Sequence, residues 1–400
     1  MKKFLLFLIL LMIVSAVYLF RNKLNSSKHQ NKSEAISTIS PKNTKRNPEQ
    51  SLTKSIFIPY WNIDENFVLQ PSGEDTEFDR YIYFGITAGD QGIDKQEVGF
   101  LKLPVFAKAT AGKDTYLTLR LLNVDFNKNL LKNESLQTKI IEDTITVTME
   151  KKFTGVVLDL ELFSLFNDDI TDQINNFVNK FYTVAKSNYK SFTVAIYGDV
   201  FYRKRPFDLF FLSKNSDEIL VMAYDFSKTI GEPGPNFPFA RRSLGEGGAK
   251  LQNYDYDFKT MTKDYLKIVP SRKLTVVFGM YGYDWRTDEK KRPITTAKAL
   301  TLKEIKNKFL NNNNLSDDRL QDGQTEFRCA LAECVVKRDD ISKETEINYT
   351  VSTDKPDEQG IYRIDYHVVW FEDEQSVAVK TDYLQSQGIG SVGYWAYGYF

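Results

Sequence analysis

Eight short, strand-like apolar runs alternate with helical patterns over most of this chain. They are Ser55–Trp61, Tyr81–Thr87, Thr115–Leu122, Phe153–Leu160, Ser191–Tyr197, Glu218–Tyr224, Lys273–Met280 and Ser391–Trp395. Strands that alternate with helices predict an α/β fold with an all-parallel sheet. Eight of them close into a (βα)8 TIM barrel, which leaves no unpaired edge strand. An open doubly wound sheet is the alternative, but no Gly-x-Gly-x-x-Gly phosphate-binding loop supports it.

The connection between the seventh and eighth runs is far longer than the others. It contains three β-type runs, which are Ala332–Lys337, Glu346–Val351 and Gly360–Tyr366. We therefore expect a small α+β insertion at about residues 317–366. The stretch before the fourth run, 136–152, has the apolar spacing of an amphipathic helix.

The chain begins with an apolar segment, Phe4–Phe20, that is broken only by Ser15. As a helix it would span roughly 25 Å, at the short limit for crossing a bilayer. We expect residues 1–20 to be an uncleaved membrane anchor, with a cleaved signal peptide as the alternative. The short basic tail before it favours an extracytoplasmic location for the rest of the protein.

Residues 21–53 are rich in polar side chains and contain almost no large apolar ones. Such a segment cannot bury enough surface to offset the entropy lost on ordering, so we expect a flexible linker. The folded domain is then predicted to span residues 54–400.

Composition narrows the chemistry that this domain can perform. Its 53 basic and 53 acidic residues cancel, so nothing points to a nucleic-acid partner. With two histidines, His29 and His367, and two cysteines, the chain cannot assemble a His-rich zinc site, a Cys₂His₂ site or a CxxC redox motif. We expect no metal or other cofactor, and we expect a monomer. If the chain is an enzyme, its catalytic groups are therefore expected to be carboxylates.

The two cysteines, Cys329 and Cys334, lie five residues apart within the predicted insertion. An oxidising compartment would permit a disulfide between them if the chain turns there. The alternative is a pair of small buried residues.

An Asp-x-Glu pair ends the fourth run. Side chains alternate along a strand, so Asp159 and Glu161 point to the same side, roughly 6–7 Å apart along the backbone. Two neighbouring acids are costly to bury, and their repulsion raises the pKa of one of them, as a general acid near neutral pH requires. The alternative is two solvated acids where the strand runs into a loop.

Aromatic and acidic side chains also cluster at the ends of other runs. They are Tyr60, Trp61, Tyr224, Asp225, Tyr283, Trp285 and Trp395. In a (βα)8 barrel the active site lies at the C-terminal ends of the strands. Each aromatic side chain alone is more simply a core residue. Together with the acids they indicate a sugar-binding cleft, in which rings stack on the C–H faces and carboxylates bind the hydroxyl groups.

These residues resemble family 18 glycoside hydrolases, the chitinase-like family. The run 153–161 resembles the family's Asp-Gly-x-Asp-x-Asp-x-Glu signature on strand four. Later segments are similar to further parts of the family in the same order; they are Met222–Asp225, Gly279–Trp285, His367–Ser376 and Gly393–Gly398. The resemblance covers about residues 54–400 and is closest to the bacterial spore-germination and cortex-lytic branch.

The resemblance implies a glycosidase that cleaves β-1,4-linked N-acetylglucosamine-containing glycan, such as peptidoglycan or chitin. Glu161 would protonate the glycosidic oxygen, and the substrate's own 2-acetamido carbonyl would act as the nucleophile. Asp159 would hold the acetamido N–H, while Tyr224 would donate to the acetamido carbonyl. The remaining residues would line the cleft, with Trp395 as the floor of the sugar subsite and Asp225, Tyr60, Trp61, Tyr283 and Trp285 around it.

The chain also departs from the family pattern. Thr154 stands at the first Asp, Val157 replaces the middle Asp, and strand three lacks the family's Ser-x-Gly-Gly. Because Asp159 has no partner at position 157, we expect the enzyme to turn over substrate more slowly or to have a different pH optimum. Two alternatives therefore stay open: a chitolectin-like protein that binds glycan without cleaving it, and a cell-envelope scaffold that merely retains the barrel.

Overall fold

The computed structural model describes residues 52–69, 78–162, 169–241, 254–310, 334–352 and 364–400. Eight parallel strands close into a barrel in the order β1–β2–β4–β5–β6–β7–β8–β14 and back to β1. They are β1 (Thr53–Pro59), β2 (Arg80–Gly89), β4 (Asp114–Leu121), β5 (Gly155–Leu160), β6 (Ser191–Tyr197), β7 (Glu218–Ala223), β8 (Leu274–Gly279) and β14 (Ser391–Trp395). A two-residue strand, β3 (Gly92–Ile93), adds to the end of β2. The predicted (βα)8 barrel is confirmed.

Helices follow the barrel strands. They are α1 (Val98–Ala109), α2 (Val124–Lys132), α3 (Glu134–Glu150), α4 (Asp169–Ser187), α5 (Leu209–Lys214), α6 (Phe258–Leu266), α7 (Leu302–Ile305) and α8 (Glu374–Ser386). Several begin at a side-chain cap; for example, Asn133 accepts from the backbone N–H of Leu136 at the start of α3. The predicted helix at 136–152 corresponds to α3.

The barrel strands separate two apolar cores because their side chains alternate. Val157 of β5 belongs to the cluster inside the barrel, together with Phe57, Ile82 and Val277. Its neighbour Leu158 belongs to the larger cluster that includes the helices. Side chains at odd positions near the end of β5 therefore point into the mouth of the barrel.

An antiparallel sheet is inserted between β8 and β14. It comprises β9 (Tyr281–Thr287), β10 (Lys298–Thr301), β11 (Cys334–Arg338), β12 (Thr345–Ser352) and β13 (Ile364–Phe371), in the order β10–β9–β13–β12–β11. This sheet begins before residue 317 and ends after residue 366, so it is larger than the predicted insertion. The reason is that β8 ends at Gly279, where the N–H of Met280 donates to Trp395, and the following residues pair with β13 instead of extending the barrel strand.

Some predictions concern residues outside the described ranges. The N-terminal apolar segment and nearly all of the predicted linker precede Leu52. Cys329 is also outside these ranges, whereas Cys334 is described and is disulfide-bonded. Within the described ranges, no helix combines the length and apolar character needed to cross a bilayer.

Candidate active site

Asp159 and Glu161 lie at the mouth of the barrel, at the C-terminal end of β5. Asp159 is 5% exposed, and its Oδ1 atom has no hydrogen-bond partner among the described residues. Just beyond the strand, the N–H of Glu161 donates to the carbonyl of Leu121 at 2.9 Å. The carbonyl of Glu161 accepts from the side chain of Asn127 at 3.0 Å. The backbone of both acids is thus held by the barrel and by α2.

The electrostatics of this pair favour the protonated form. Burial raises the pKa of Asp159 to about 8, and the charge of Glu161 adds to the rise while Arg120 opposes it. The pKa of Glu161 is also raised, first by burial and then by the charge of Asp225, while Lys228, Tyr197 and Arg205 oppose the rise. Both shifts favour the protonated form of the carboxyl group, which is the form that a general acid needs.

Tyr224 and Asp225 follow β7. The ring of Tyr224 packs on the interior core of the barrel, and burial together with the neighbouring acids raises the pKa of its hydroxyl well above the usual value. Tyr224 can therefore serve as a hydrogen-bond donor. Asp225 adopts a left-handed backbone conformation with φ of 59°, and its carboxylate accepts from the hydroxyls of Tyr281 at 2.5 Å and Tyr283 at 2.6 Å.

Aromatic rings form another wall of the mouth. The ring of the half-buried Trp395 meets Phe84 edge-on at 4.7 Å between centroids and lies 6.2 Å from Trp61. Trp61 is 45% exposed, so part of its surface is open to a ligand. Tyr60 is partly exposed, and the guanidinium of Arg120 lies 4.8 Å from the centre of its ring.

One predicted cleft residue has no access to the cleft. Trp285 is 0% exposed and packs with Ala297, Val368 and Trp370 in the core of the inserted sheet. A side chain without exposed surface cannot contact a sugar, so the prediction for Trp285 is wrong. Its neighbour Tyr283 is partly exposed and donates a hydrogen bond to Asp225.

The structure adds three residues to the site that the sequence analysis does not single out. Arg120 lies opposite Asp159 in the parallel register of β4 and β5. Tyr197, the last residue of β6, lowers the pKa of Glu161 against its burial, and Tyr281 donates to Asp225. Arg120 and Tyr197 occupy the ends of predicted barrel strands. This position alone could have identified them from the sequence as candidate site residues.

Three comparisons with known proteins bear on this geometry. A family model described as "Glycosyl hydrolases family 18" matches residues 123–399. The cortical fragment-lytic enzyme of Bacillus anthracis is 22% identical over 286 residues, covering 69% of this chain and 54% of that protein. The chain spans about half the length of the curated relatives it matches.

Solved structures share the fold at low sequence identity. The spore cortex-lytic enzyme SleL of Bacillus cereus superposes with a TM-score of 0.59 at 17% identity, covering 88% of this chain and 72% of that one. A family 18 N-acetylglucosaminidase from Paenibacillus barengoltzii gives a TM-score of 0.64 at 13% identity, covering 88% and 96%.

Proposed function

The chain belongs to glycosyl hydrolases family 18, and we propose that it cleaves β-1,4-linked N-acetylglucosamine-containing glycan, such as peptidoglycan or chitin. One observation carries this proposal. The Asp159–Glu161 pair, whose pKa values are both raised by burial, lies at the mouth of the barrel beside Tyr224 and the aromatic wall around Trp395. The names of the cortical fragment-lytic and spore cortex-lytic relatives favour peptidoglycan over chitin.

In the proposed reaction Glu161 is the general acid. Its raised pKa favours the protonated form, which gives its proton to the glycosidic oxygen as the bond to the anomeric carbon breaks. The resulting carboxylate then removes a proton from the water that completes hydrolysis. Tyr197 opposes the rise in the pKa of this carboxyl group and so favours its ionised form in the second step.

The nucleophile is the 2-acetamido carbonyl of the substrate. Asp159 in β5 and Glu161 just beyond it are two residues apart and approach the sugar from one side, whereas an enzyme nucleophile and its acid must flank the scissile bond from opposite faces. Tyr224 donates to the acetamido carbonyl and directs it toward the anomeric carbon, which is a positioning effect. Asp159, when ionised, accepts the acetamido N–H and stabilises the positive charge on the oxazolinium ring.

Val157 makes a second candidate function worth testing, namely glycan binding without cleavage. This side chain packs in the apolar interior directly below Asp159 and offers no hydrogen bond to the carboxylate. With its pKa near 8, Asp159 is largely protonated at neutral pH and then cannot accept the acetamido N–H as a carboxylate. A protein in that state would still bind sugar on Trp61 and Trp395.

Product analysis separates the two functions. The full-length chain is incubated with peptidoglycan and with chitin oligomers between pH 5 and 9, and the products are identified by mass spectrometry. Cleavage products with retained anomeric configuration support the glycosidase. Saturable binding with no product at any pH would leave the binding function.

We further propose an extracytoplasmic location, with residues 1–20 as the membrane anchor. The support is the apolar run Phe4–Phe20 and the basic residues before it. Protease protection of a C-terminally tagged chain in intact cells tests this; a tag that is shielded until the membrane is opened would contradict the proposal.

A further inference from the structure

We propose that Glu344, from the inserted sheet, is a positioning residue that holds Asp225 in place beside Glu161. It would act through Asn236, which contacts both Glu344 and Asp225. This role rests on the proposed glycosidase function, because Asp225 matters there through its effect on the general acid.

Glu344 is part of a buried triad of charged residues with Lys380 and Glu372. All three are 0% exposed, and they come from three separate elements: the residue before β12, helix α8 and the residue after β13. The ammonium group of Lys380 donates to Glu344 Oε1 at 2.8 Å and to the two oxygens of Glu372 at 2.8 and 2.7 Å. These contacts use all of the donors that a lysine has.

Two carboxyl groups face one ammonium group, so one of them is the better site for a proton. Burial raises the pKa of Glu372 to about 8, with Glu344 adding to the rise and Lys380 opposing it. Buried ion pairs add little net stability, so a triad of this kind suggests a role in specifying structure.

The carboxylate of Glu344 is aimed at the loop that follows β7. Its Oε2 atom accepts the backbone N–H of Asn236 at 2.5 Å, and Oε1 accepts that of Phe237 at 2.8 Å. The same loop also pairs with the turn before Glu344, where the N–H of Phe239 donates to Ser342 at 3.0 Å. These hydrogen bonds fix the position of the loop relative to the inserted sheet.

The side chain of Asn236 connects this loop to the active site by hydrogen bonds. Its Oδ1 atom accepts the backbone N–H of Asp225 at 2.7 Å. Its Nδ2 group donates to the carbonyls of Gly279 and Tyr281 at 3.1 and 3.3 Å. The end of β7 is therefore tied to the end of β8 at the residue whose backbone is left-handed, a conformation that costs an aspartate energy and needs external support.

The position of Asp225 has a measurable consequence, because its charge raises the pKa of Glu161. The charged and titratable groups that surround Glu161 are Asp159, Tyr197, Arg205, Tyr224, Asp225 and Lys228. If the loop relaxes and Asp225 moves away, the pKa of Glu161 falls. The general acid then loses its proton at lower pH, so the alkaline limb of the pH–rate profile moves to lower pH.

Two variants test this in the full-length chain. Glu344→Gln removes the charge from the triad, and Asn236→Ala breaks the link to Asp225 without changing any charge. Both should shift the alkaline limb of kcat/KM to lower pH, with a loss of about 10²-fold at the wild-type optimum, the cost of a misplacement near 1 Å. Glu346→Gln is the matched control on β12, because Glu346 pairs with Lys291 instead; it should behave as wild type.

The pKa of Glu161 is also followed directly by ¹³C NMR of glutamate-labelled protein, with Glu161→Gln to assign the signal. This readout needs no turnover, so an inactive wild type would count against the proposed function alone. The positioning role predicts a lower pKa of Glu161 in folded Asn236→Ala. It also predicts that the pKa of Glu161 in Asp225→Asn falls no further when Glu344→Gln or Asn236→Ala is added. An unchanged Glu161 pKa in folded Asn236→Ala would overturn it, even if Glu344→Gln fails to fold.

Discussion

Arg120 and Asp159 lie opposite one another in register on adjacent strands of the barrel, and the guanidinium of Arg120 donates to Glu97 at 3.1 Å. Because Arg120 shares its charge with Glu97, it offsets only part of the burial cost of Asp159. The pKa of Asp159 consequently lies near 8. The residue below it, Val157, cannot help because it has no polar atom.

A donor at position 157 should therefore shift the activity toward acid. Val157→Asn places an amide donor on the same side of β5 as the Oδ1 atom of Asp159, which has no hydrogen-bond partner among the described residues. A hydrogen bond to the charged form lowers the pKa of a carboxyl group. Since Asp159 must be ionised to accept the acetamido N–H, the acidic limb of the kcat/KM profile should move to lower pH. Val157→Ala adds no donor and should leave that limb in place; an unmoved limb in Val157→Asn would argue against the assigned role of Asp159.

Loss of the general acid should abolish most turnover. Glu161→Gln cannot protonate the glycosidic oxygen, so kcat should fall by roughly 10²–10⁴-fold, the usual contribution of general acid catalysis. Binding of chitin oligomers, measured by calorimetry, should survive because the aromatic wall is intact. Glu142→Gln on the exposed side of α3 is the control. Wild-type turnover in Glu161→Gln would rule out the assignment.

Substrate-assisted catalysis makes the 2-acetamido group essential. Glycans that lack the N-acetyl group should not be cleaved at that sugar, and a thiazoline mimic of the oxazolinium intermediate should inhibit competitively. Tyr224→Phe should weaken this inhibitor, because it removes the donor to the acetamido carbonyl. Inhibition constants measured for both proteins check the claim. Efficient cleavage of a de-N-acetylated substrate would refute the mechanism.

The buried carboxyl group of Asp159 should also affect stability. Its pKa of about 8 in the folded protein exceeds the unfolded value of 3.8, so the folded state binds more protons between these values. This contribution is complete below pH 3.8 and is lost as pH rises through 8, by up to about 1.4 kcal/mol per pH unit. Asp159→Asn should therefore raise Tm relative to wild type more at pH 8 than at pH 4. Asp172→Asn, at an exposed position on α4, should show no such trend.

The disulfide is tested by counting thiols. The chain has two cysteines, and Cys334 is disulfide-bonded. Protein purified from an oxidising compartment and denatured without reductant should therefore show no free thiol, and two after reduction. Detection of two thiols before reduction would contradict the predicted Cys329–Cys334 bond. Non-reducing mass spectrometry of the peptide that contains both residues provides an independent check.

Local pattern was sufficient to predict the barrel and the direction of its acids. The alternation of apolar runs with helical patterns is a property of neighbouring residues, and all eight predicted strands are present. The two-residue period of a strand likewise placed Asp159 on the same side as Val157, inside the barrel.

The tertiary structure decided the features that depend on contacts between residues far apart in the sequence. Trp285 shares the aromatic pattern of the strand ends, but Val368 and Trp370, contributed by β13, cover it. The contact between Glu344 and Asn236 joins residues 108 positions apart. The raised pKa of Asp159 depends on how completely the surrounding elements exclude water. Strand identity follows from short-range periodicity, whereas burial, electrostatics and loop position follow from contacts that form only when distant elements pack together.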